Sequence, residues 1–383
     1  MDQVTGVRGV GPARRRGRDG AHPGHHDTTR PLATGPRLAS VTVLDTAVDP
    51  AAGSTEDPAA RARDLLGVSR LTDTSLTRWL HALPGVDQVG AEARAASLGT
   101  RSIKTTSKAW AIDLAISMID LTTLEGADTP GKVRGLATRA LTPDPADLTT
   151  PSPAAVCVYG DMVPFAREVL GHSGVRIAAV ATAFPSGRAS MPVKLADTRD
   201  AVAAGADEID MVIDRGAFLA GHYRQVFDEI AAVKAACRRP DGTSARLKVI
   251  METGELVTYD NVRRASWLSM LAGGDFIKTS TGKISPAATL PVTLIMLEAV
   301  RDWREVTGQQ LGVKPAGGIR TSKDAIKFLV AVNEVAGPDW LDNHWFRFGA
   351  SSLLNDLILQ RQRLAIGAYS GSDYVPDDAP SLY

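Results

Sequence analysis

The sequence predicts an α/β protein whose main domain is a closed (β/α)8 TIM barrel, preceded by a helical extension and a disordered arm. After Met118 the chain repeats a short apolar run, a loop of small or polar residues and an amphipathic helix, eight times in all. Each run is continuously apolar, which indicates strands buried on both faces, as in a parallel sheet covered by helices. The alternative is a doubly wound open sheet, but the first run (DLTTL at 120–124) is not followed by the glycine fingerprint of that fold.

The composition restricts the class of protein. The 383 residues include 43 basic and 43 acidic side chains, so the formal net charge is zero. Nucleic-acid-binding proteins usually carry a surplus of Lys and Arg, and no run of about 18 apolar residues is present to span a membrane. The two cysteines, Cys157 and Cys237, could form only one disulfide, which is too few to stabilise a chain of this length. This favours a reducing, cytoplasmic setting. Neither nucleic acid nor a membrane is expected as a partner.

Residues 1–57 form an arm that differs in composition from the rest of the chain. Its first 40 residues contain seven Arg, seven Gly and four Pro but few large apolar side chains. Such a segment cannot bury enough surface to offset the entropy lost on ordering, so we predict disorder. The arginine run at 14–16 is too short to indicate a nucleic-acid or membrane site. His22, His25 and His26 lack the accompanying Cys or carboxylate pattern of a metal site.

Residues 58–118 are predicted to form a helical extension. Apolar residues recur at intervals of three and four in 61–66, 75–83 and 108–118, and Pro84-Gly85 and Leu98-Gly99 interrupt the pattern. We expect these helices to lead into the barrel or to cover one end of it.

The barrel is predicted over residues 119–366, followed by a C-terminal tail at 367–383. Its strands are predicted at 119–124, 155–159, 175–182, 208–213, 247–252, 275–280, 311–316 and 345–349. Helices between them are predicted at 194–204, 226–237, 259–271, 292–307 and 322–335, among other places. In such a barrel the loops after the strands open on one face, and that face carries the chemistry.

Three titratable side chains at strand ends indicate carbonyl chemistry. Asp210 lies in the fourth apolar run, Lys278 in the sixth and Lys314 in the seventh. Two lysines on consecutive strands disfavour each other's charge, so at least one should be neutral near pH 7 and able to form a Schiff base. Asp210 could relay protons or hold a water. Each residue alone would be interpreted as an ion-pair partner or a structural group, whereas the three together favour a reactive site.

Small-residue loops after the last three strands predict an anion site. These are Thr281-Gly282-Lys283, Gly317-Gly318 and Gly349-Ala350-Ser351-Ser352. Glycines let backbone N–H groups approach a phosphate, and Lys283 and Arg320 would add positive charge. One Gly-Gly pair is usually just a turn, but three such loops on successive strands make a phosphate site the stronger interpretation.

Several segments resemble the deoxyribose-phosphate aldolase family, in the family's order and spacing from about residue 110 to 365. The most specific are KTSTGK at 278–283 and KPAGGIR at 314–320. The others are DLTTL at 120–124, VCVY at 156–159, GADEID at 205–210, ETGEL at 252–256 and FRFGASS at 346–352. The resemblance implies a TIM-barrel, metal-free and cofactor-free class I aldolase acting on the phosphosugar 2-deoxy-D-ribose 5-phosphate.

The resemblance also implies a role for each matching residue. The family's Schiff-base lysine falls on Lys278, the lysine that lowers its pKa on Lys314, and the proton-relay aspartate on Asp210. The implied phosphate-binding residues are Gly282, Lys283, Gly317, Gly318, Arg320, Gly349, Ser351 and Ser352. Positions that line the family's pocket fall on Asp120, Thr122, Cys157 and Thr281.

The chain departs from the family's pattern in three places. Tyr159 is followed by Gly160 where the family usually has proline, and about 100 N-terminal residues have no counterpart in the compact bacterial members. The chain ends in Tyr383, and a C-terminal tyrosine reaches the active site in the bacterial branch, although the segment 343–361 resembles the animal-like branch more closely. A homodimer is a further expectation from the family.

Other classes remain as alternatives. A transaldolase-like barrel would use the same Schiff base on a ketose phosphate, and a phosphosugar sensor would bind without chemistry. A metal-dependent aldolase would need clustered His and carboxylate ligands, but three of the seven His lie in the arm.

Overall fold

The computed structural model describes residues 57–367. The predictions for the arm up to residue 56, for the tail from residue 368 and for Tyr383 therefore lie outside the described residues.

Eight parallel strands form the predicted barrel. They are β1 (Ile119–Thr122), β2 (Ala155–Tyr159), β3 (Arg176–Ala181), β4 (Glu208–Val212), β5 (Arg246–Ile250), β6 (Phe276–Lys278), β7 (Gly312–Lys314) and β8 (Phe348–Ala350). Each strand pairs with the next in sequence up to β7, and β1 pairs with β8. Parallel bridges between Val313 and Phe346 and between Ala316 and Gly349 join β7 to β8 and close the ring. The (β/α)8 prediction is confirmed.

A layer of helices surrounds the sheet. It consists of α5 (Pro130–Leu141), α6 (Val163–Leu170), α7 (Met191–Ala203), α8 (Arg215–Leu219), α9 (Tyr223–Ala236), α10 (Tyr259–Leu271), α11 (Leu290–Thr307), α12 (Ser322–Val335) and α13 (Ser352–Ile366). Threonine caps begin α5, α10, α11 and α12, where the hydroxyl accepts an N–H of the first turn. None of the helices in the described part of the chain is long and apolar enough to cross a bilayer.

The extension forms four helices that pack on the outer layer of the barrel. They are α1 (Pro58–Leu66), α2 (Asp73–Ala82), α3 (Gln88–Gly99) and α4 (Thr105–Ser117). α1 and α2 contact α9 and α10, whereas α3 and α4 contact α11, α12 and α13. Trp79 of α2 meets Trp267 edge to face, and Trp267 meets Trp303 in the same way. The sequence did not predict α3, which follows the N-cap residue Asp87, whose carboxylate accepts the Gly90 N–H.

The last predicted strand is shifted in the structure. Residues 345–347, predicted as strand, precede β8 and still contact β7: the Arg347 N–H donates to Val313 O, and the Val313 N–H donates to Trp345 O. Gly349, predicted as the last residue of this strand and the first of the phosphate segment, lies in the middle of β8. A Cβ at Gly349 would lie 2.7 Å from the Cβ of Ala316, so only glycine allows β7 and β8 to approach this closely.

Candidate active site

Charged side chains occupy the interior of the barrel, where apolar side chains are the norm. Three carboxylates lie between four cationic groups, and all seven side chains are at most 3% exposed. They are Asp120, Glu208 and Asp210, with Lys248, Lys278, Lys314 and Arg347. Burial of a charge is costly unless it is paired, so each of these groups requires a partner of opposite charge.

The two predicted lysines meet at Asp210. Lys278 and Lys314 are register partners on β6 and β7. Their Nζ atoms lie 2.8 and 2.7 Å from the same oxygen, Asp210 Oδ2. The structure thus brings together the three residues that the sequence singled out.

The environment of Lys278 favours a neutral amine. Burial lowers the pKa of Lys278, and the positive charge of Lys314 lowers it further. Together they outweigh the attraction of Asp210, so the pKa lies below its ordinary value of 10.5. A lysine with a lowered pKa has a larger population of the unprotonated, nucleophilic form near neutral pH.

Lys314 is held in the charged form. Its Nζ lies 2.5 Å from Asp120 Oδ2 in addition to its contact with Asp210. Burial opposes the charge, but the two carboxylates outweigh it and raise the pKa of Lys314 above 10.5. The pKa values of the two neighbouring lysines therefore shift in opposite directions because the lysines differ in the number of carboxylates they contact.

Three further charged residues complete this network, and sequence reasoning assigned none of them a role. Lys248 of β5 donates to Asp210 Oδ1 at 2.8 Å and lies 2.5 Å from Glu208 Oε2. Arg347 lies 2.5 Å from Asp120 Oδ1 and donates to Glu208 Oε1 at 2.9 Å. In the sequence each of the three is a charged residue inside an otherwise apolar run, which is the same pattern that identified Lys278 and Lys314.

The Asp210 carboxylate is kept ionised by its three lysine partners. Burial raises the pKa of this group, but Lys248, Lys278 and Lys314 outweigh burial and hold the pKa well below 3.8. Asp210 can therefore accept a proton only transiently, for instance from a neighbouring ammonium or a hydroxyl aimed at it.

The four described residues predicted to line a pocket are all buried, but their side chains make different contacts. Asp120 pairs with Lys314, as described above. Thr122 donates to the Asp120 carbonyl oxygen at 2.7 Å, so its hydroxyl is turned to the backbone. Cys157 Sγ lies 4.0 Å from Asp210 Oδ2, and burial raises the pKa of its thiol. Thr281 donates to Glu252 Oε2 at 2.5 Å.

The three glycine- and serine-containing segments near the ends of β6, β7 and β8 are joined by backbone hydrogen bonds. The Ala288 N–H, in the loop after β6, is 3.2 Å from Ala316 O. The Gly317 N–H donates to Gly349 O at 3.2 Å. A Cβ on Gly317 would lie 3.2 Å from Gly282 Cα, so these segments pack closely at the C-terminal ends of the strands, with Gly317 and Gly349 buried and Gly282 half-buried.

Unpaired donors lie in the loops that follow these strands. The N–H groups of Gly282 and Gly318 make no hydrogen bond with the described residues, and Gly318 is exposed. Arg320 is also exposed and has no ion-pair partner among residues 57–367. Helix α13 begins at Ser352, after Ser351, and its first N–H groups add the positive end of a helix dipole. This set of donors suits a phosphate.

Lys283, which is predicted to bind phosphate, contacts a carboxylate in the structure. Its Nζ lies 3.0 Å from Glu125 Oε1, on the loop after β1. Its backbone N–H donates to Thr281 Oγ1 at 3.1 Å. Any phosphate contact of the Lys283 ammonium would have to compete with Glu125.

No group of three or more His, Cys, Asp or Glu side chains suited to a metal ion occurs among the described residues.

The fold and its interior define a (β/α)8 barrel enzyme of the aldolase class. A model of the DeoC/LacD family aldolases matches residues 114–358. The chain belongs to this family.

Individual relatives agree with the family assignment. A deoxyribose-phosphate aldolase of Mus musculus is 42% identical over 286 residues, which cover 72% of this chain and 88% of the relative. The enzyme of the same name from Homo sapiens is 42% identical over 278 residues, which cover 70% of this chain and 86% of the relative. A Coccidioides immitis protein provisionally named a deoxyribose-phosphate aldolase has a crystal structure that superimposes with a TM-score of 0.53. It is 28% identical, and the match covers 72% of this chain and 99% of that one.

Proposed function

We propose that this enzyme is a class I aldolase that reversibly cleaves 2-deoxy-D-ribose 5-phosphate to D-glyceraldehyde 3-phosphate and acetaldehyde through a Schiff base on Lys278. The observation that carries the proposal is the buried pair of amines, Lys278 and Lys314, that meets at Asp210 Oδ2. The choice of substrate is supported by the names of the mouse and human relatives.

The first step is attack of the neutral Lys278 amine on the C1 aldehyde. The carbonyl oxygen leaves as water with one amine hydrogen and one proton donated by Lys314, and a protonated imine remains. Lys314 regains a proton before the next turnover. Once Lys278 is an imine, it donates less to Asp210, and Oδ2 gains a free acceptor site.

The second step breaks the bond between C2 and C3, because the products contain two and three carbons. Asp210, directly or through a water, accepts the proton of the C3 hydroxyl as C3 becomes a carbonyl. The bond electrons move to the protonated imine and leave an enamine on Lys278. Protonation of the enamine at C2 and hydrolysis of the new imine release acetaldehyde and restore the amine.

The phosphate of the substrate would lie on the surface formed by the ends of β6, β7 and β8. The unpaired N–H groups of Gly282 and Gly318, the start of α13 and the exposed Arg320 supply the donors. This places the reacting carbonyl inside the barrel mouth and the charged end of the sugar at the loops, as is common for barrels that bind phosphate.

Reductive trapping tests the proposal. The enzyme is incubated with 2-deoxyribose 5-phosphate and borohydride, and the labelled peptide is identified by mass spectrometry. An adduct on Lys278 supports the mechanism, an adduct on Lys314 exchanges the two lysine roles, and the absence of any adduct overturns the proposal. Lys278→Ala should abolish trapping, whereas Lys194→Ala, which removes another buried lysine, should retain it.

A comparison of substrates tests the reaction itself. Cleavage of 2-deoxyribose 5-phosphate with release of acetaldehyde is expected. Transfer of a three-carbon unit from a ketose phosphate would instead identify a transaldolase-like enzyme, and recovery of the intact sugar phosphate would indicate a sensor.

The proposed reaction implies a role in deoxyribonucleoside catabolism in the cytoplasm. Both cysteines of the described residues are free and buried, which is consistent with a reducing compartment. A homodimer is part of the proposal, and light scattering of the full chain would measure the oligomeric state.

A further inference from the structure

The loop that follows β5 is hydrogen-bonded to the backbone of β6 and of the loop that follows it. The Met251 N–H donates to Lys278 O at 3.1 Å, and the Thr253 N–H donates to Thr279 O at 2.9 Å. A Cβ on Gly254 would lie 2.2 Å from Pro286 O, so a side chain at this position would push the two loops apart. The loop that continues from Lys278 toward the proposed phosphate site is therefore supported by its neighbour.

Glu252 lies at the centre of this contact. Its backbone has φ = 53°, in the left-handed region that non-glycine residues rarely adopt, and its side chain is 1% exposed. A left-handed residue and a buried carboxylate are both unfavourable for folding. Burial raises the pKa of Glu252, because its surroundings disfavour the charged form. Stability alone does not explain why a glutamate occupies this position.

The Glu252 carboxylate binds Thr281 at two points. Oε1 accepts the Thr281 backbone N–H at 3.1 Å, and Oε2 accepts the Thr281 hydroxyl at 2.5 Å. A carboxylate can only accept, so the single hydroxyl proton of Thr281 is directed to Glu252. The lone pairs of Thr281 Oγ1 are then free to accept the Lys283 N–H at 3.1 Å.

This chain of hydrogen bonds fixes the backbone on both sides of Gly282. Thr281 is held by Glu252, and Lys283 is held by Thr281, whereas the Gly282 N–H between them makes no hydrogen bond with the described residues. The Gly282 N–H is one of the donors of the proposed phosphate site.

We propose that Glu252 is a positioning residue for the phosphate end of the substrate, because its carboxylate holds the β6–α11 loop in the conformation that presents the Gly282 N–H. The inference rests on the proposed function, in which the substrate carries a phosphate. Glu252 acts through Thr281 and does not take part in bond cleavage.

Neighbouring charges supply a matched control. Arg215 Nη1 lies 3.5 Å from Glu252 Oε2, and its Nε lies 2.7 Å from Glu255 Oε2. Glu255 is on the same loop and shares Arg215, but its side chain is 43% exposed, and the hydrogen bonds of Thr281 go to Glu252 and Lys283. Glu252→Gln and Glu255→Gln therefore remove the same charge from the same loop, and only the first changes the contact with Thr281.

The experiment measures kcat and KM for 2-deoxyribose 5-phosphate and for unphosphorylated 2-deoxyribose. Glu252→Gln should raise KM for the phosphorylated sugar about tenfold, since hydrogen bonds to a charged group are lost. Its kcat, and its kcat/KM for 2-deoxyribose, should stay close to those of the unsubstituted enzyme. Glu255→Gln should change neither substrate's constants. Equal losses on both sugars, or no loss on either, would overturn the inference.

Two further measurements keep the result decisive. If Glu252→Gln does not fold, Thr281→Val removes the hydroxyl and leaves Glu252 in place, and it should show the same selective rise in KM. Binding of inorganic phosphate, followed by the shift in Tm, should weaken about tenfold in Glu252→Gln and be unchanged in Glu255→Gln. Because phosphate binding is measured without turnover, it tests the role of Glu252 even if 2-deoxyribose 5-phosphate is not cleaved. Failure to cleave this sugar would overturn the proposed function but not the role of Glu252.

Discussion

Lys278 and Lys314 are register partners and contact the same oxygen of Asp210, yet their pKa values shift in opposite directions. The cause is Asp120, whose Oδ2 lies 2.5 Å from Lys314. Among residues 57–367, Lys278 has no second carboxylate partner. The position of one carboxylate therefore separates a lysine that stays charged from one that can become a nucleophile.

The charge of Lys314 should set the pH dependence of the Lys278 amine. The variant Lys314→Met removes a positive charge that repels the ammonium form of Lys278. It also leaves the Asp210 carboxylate with one fewer cationic partner, so Asp210 attracts the Lys278 ammonium more strongly. Both changes favour the ammonium form of Lys278. The midpoint of borohydride trapping against pH should therefore move upward. The measurement is the rate of trapping with a simple aldehyde from pH 5 to 10.

The control for this prediction is Lys194→Met. Lys194 is as buried as Lys278 but pairs with Glu229 between α7 and α9, so its removal should leave the trapping midpoint unchanged. A midpoint that moves downward in Lys314→Met would contradict the assigned electrostatics.

Asp210→Asn should separate imine formation from cleavage. Turnover should fall about 10²- to 10⁴-fold, because a proton-transfer group is lost. Trapping at neutral pH should persist, since loss of the carboxylate favours the neutral amine of Lys278. Steady-state rates and single-turnover trapping on the same sample provide the measurement. A variant that loses trapping and turnover to the same extent would speak against a proton-relay role.

Arg347→Met should destabilise the barrel by about 3–5 kcal/mol, because Asp120 and Glu208 would lose a buried partner. The double variant Arg347→Met/Glu208→Gln should recover part of this loss, since one of the stranded carboxylates is then neutral. Urea denaturation at pH 7 measures both. Additive effects of the two substitutions would show that the pair is not coupled.

The same carboxylates should make stability fall in acid. Burial raises the pKa values of Asp120 and Glu208, but their cationic partners outweigh it and hold both below the ordinary values of 3.8 and 4.5. A lowered native pKa contributes stability that is present above the ordinary value and is lost as pH falls below it. The free energy of unfolding should thus decline below about pH 4.5, and less steeply in Arg347→Met. Denaturation midpoints between pH 3 and 7 test this.

The helical extension should contribute to the stability of the whole enzyme. Leu76 of α2 is fully buried, and Leu76→Ala should cost about 2–5 kcal/mol. Thr77→Ala, on the same helix but not fully buried, serves as the control. Thermal unfolding followed by the fluorescence of the tryptophan cluster measures the loss. An unchanged Tm would indicate that the extension unfolds independently of the barrel.

The repeat of strand and helix could be predicted from the sequence, because buried parallel strands appear in it as continuous apolar runs. The sequence also identified Asp210, Lys278 and Lys314, since charged residues in such runs are costly and need a reason. It missed α3, where small residues such as Ala91 and Ala95 pack without a strong apolar stripe. It gave no role to Lys248, Glu208 and Arg347, although each is also a charged residue in an apolar run, because their partners lie on other strands and only the closed barrel brings them together.

The buried charges of the barrel have a consequence for catalysis. With Lys278 unprotonated, Lys248, Lys314 and Arg347 balance Asp120, Glu208 and Asp210, and the interior is electrically neutral. A protonated imine would be an additional buried charge beside the Asp210 carboxylate. Rupture of the carbon–carbon bond would convert both into uncharged groups, since the enamine is neutral and Asp210 receives the proton of the C3 hydroxyl. Because buried charges are costly, the interior of the barrel would favour the state after cleavage over the state before it.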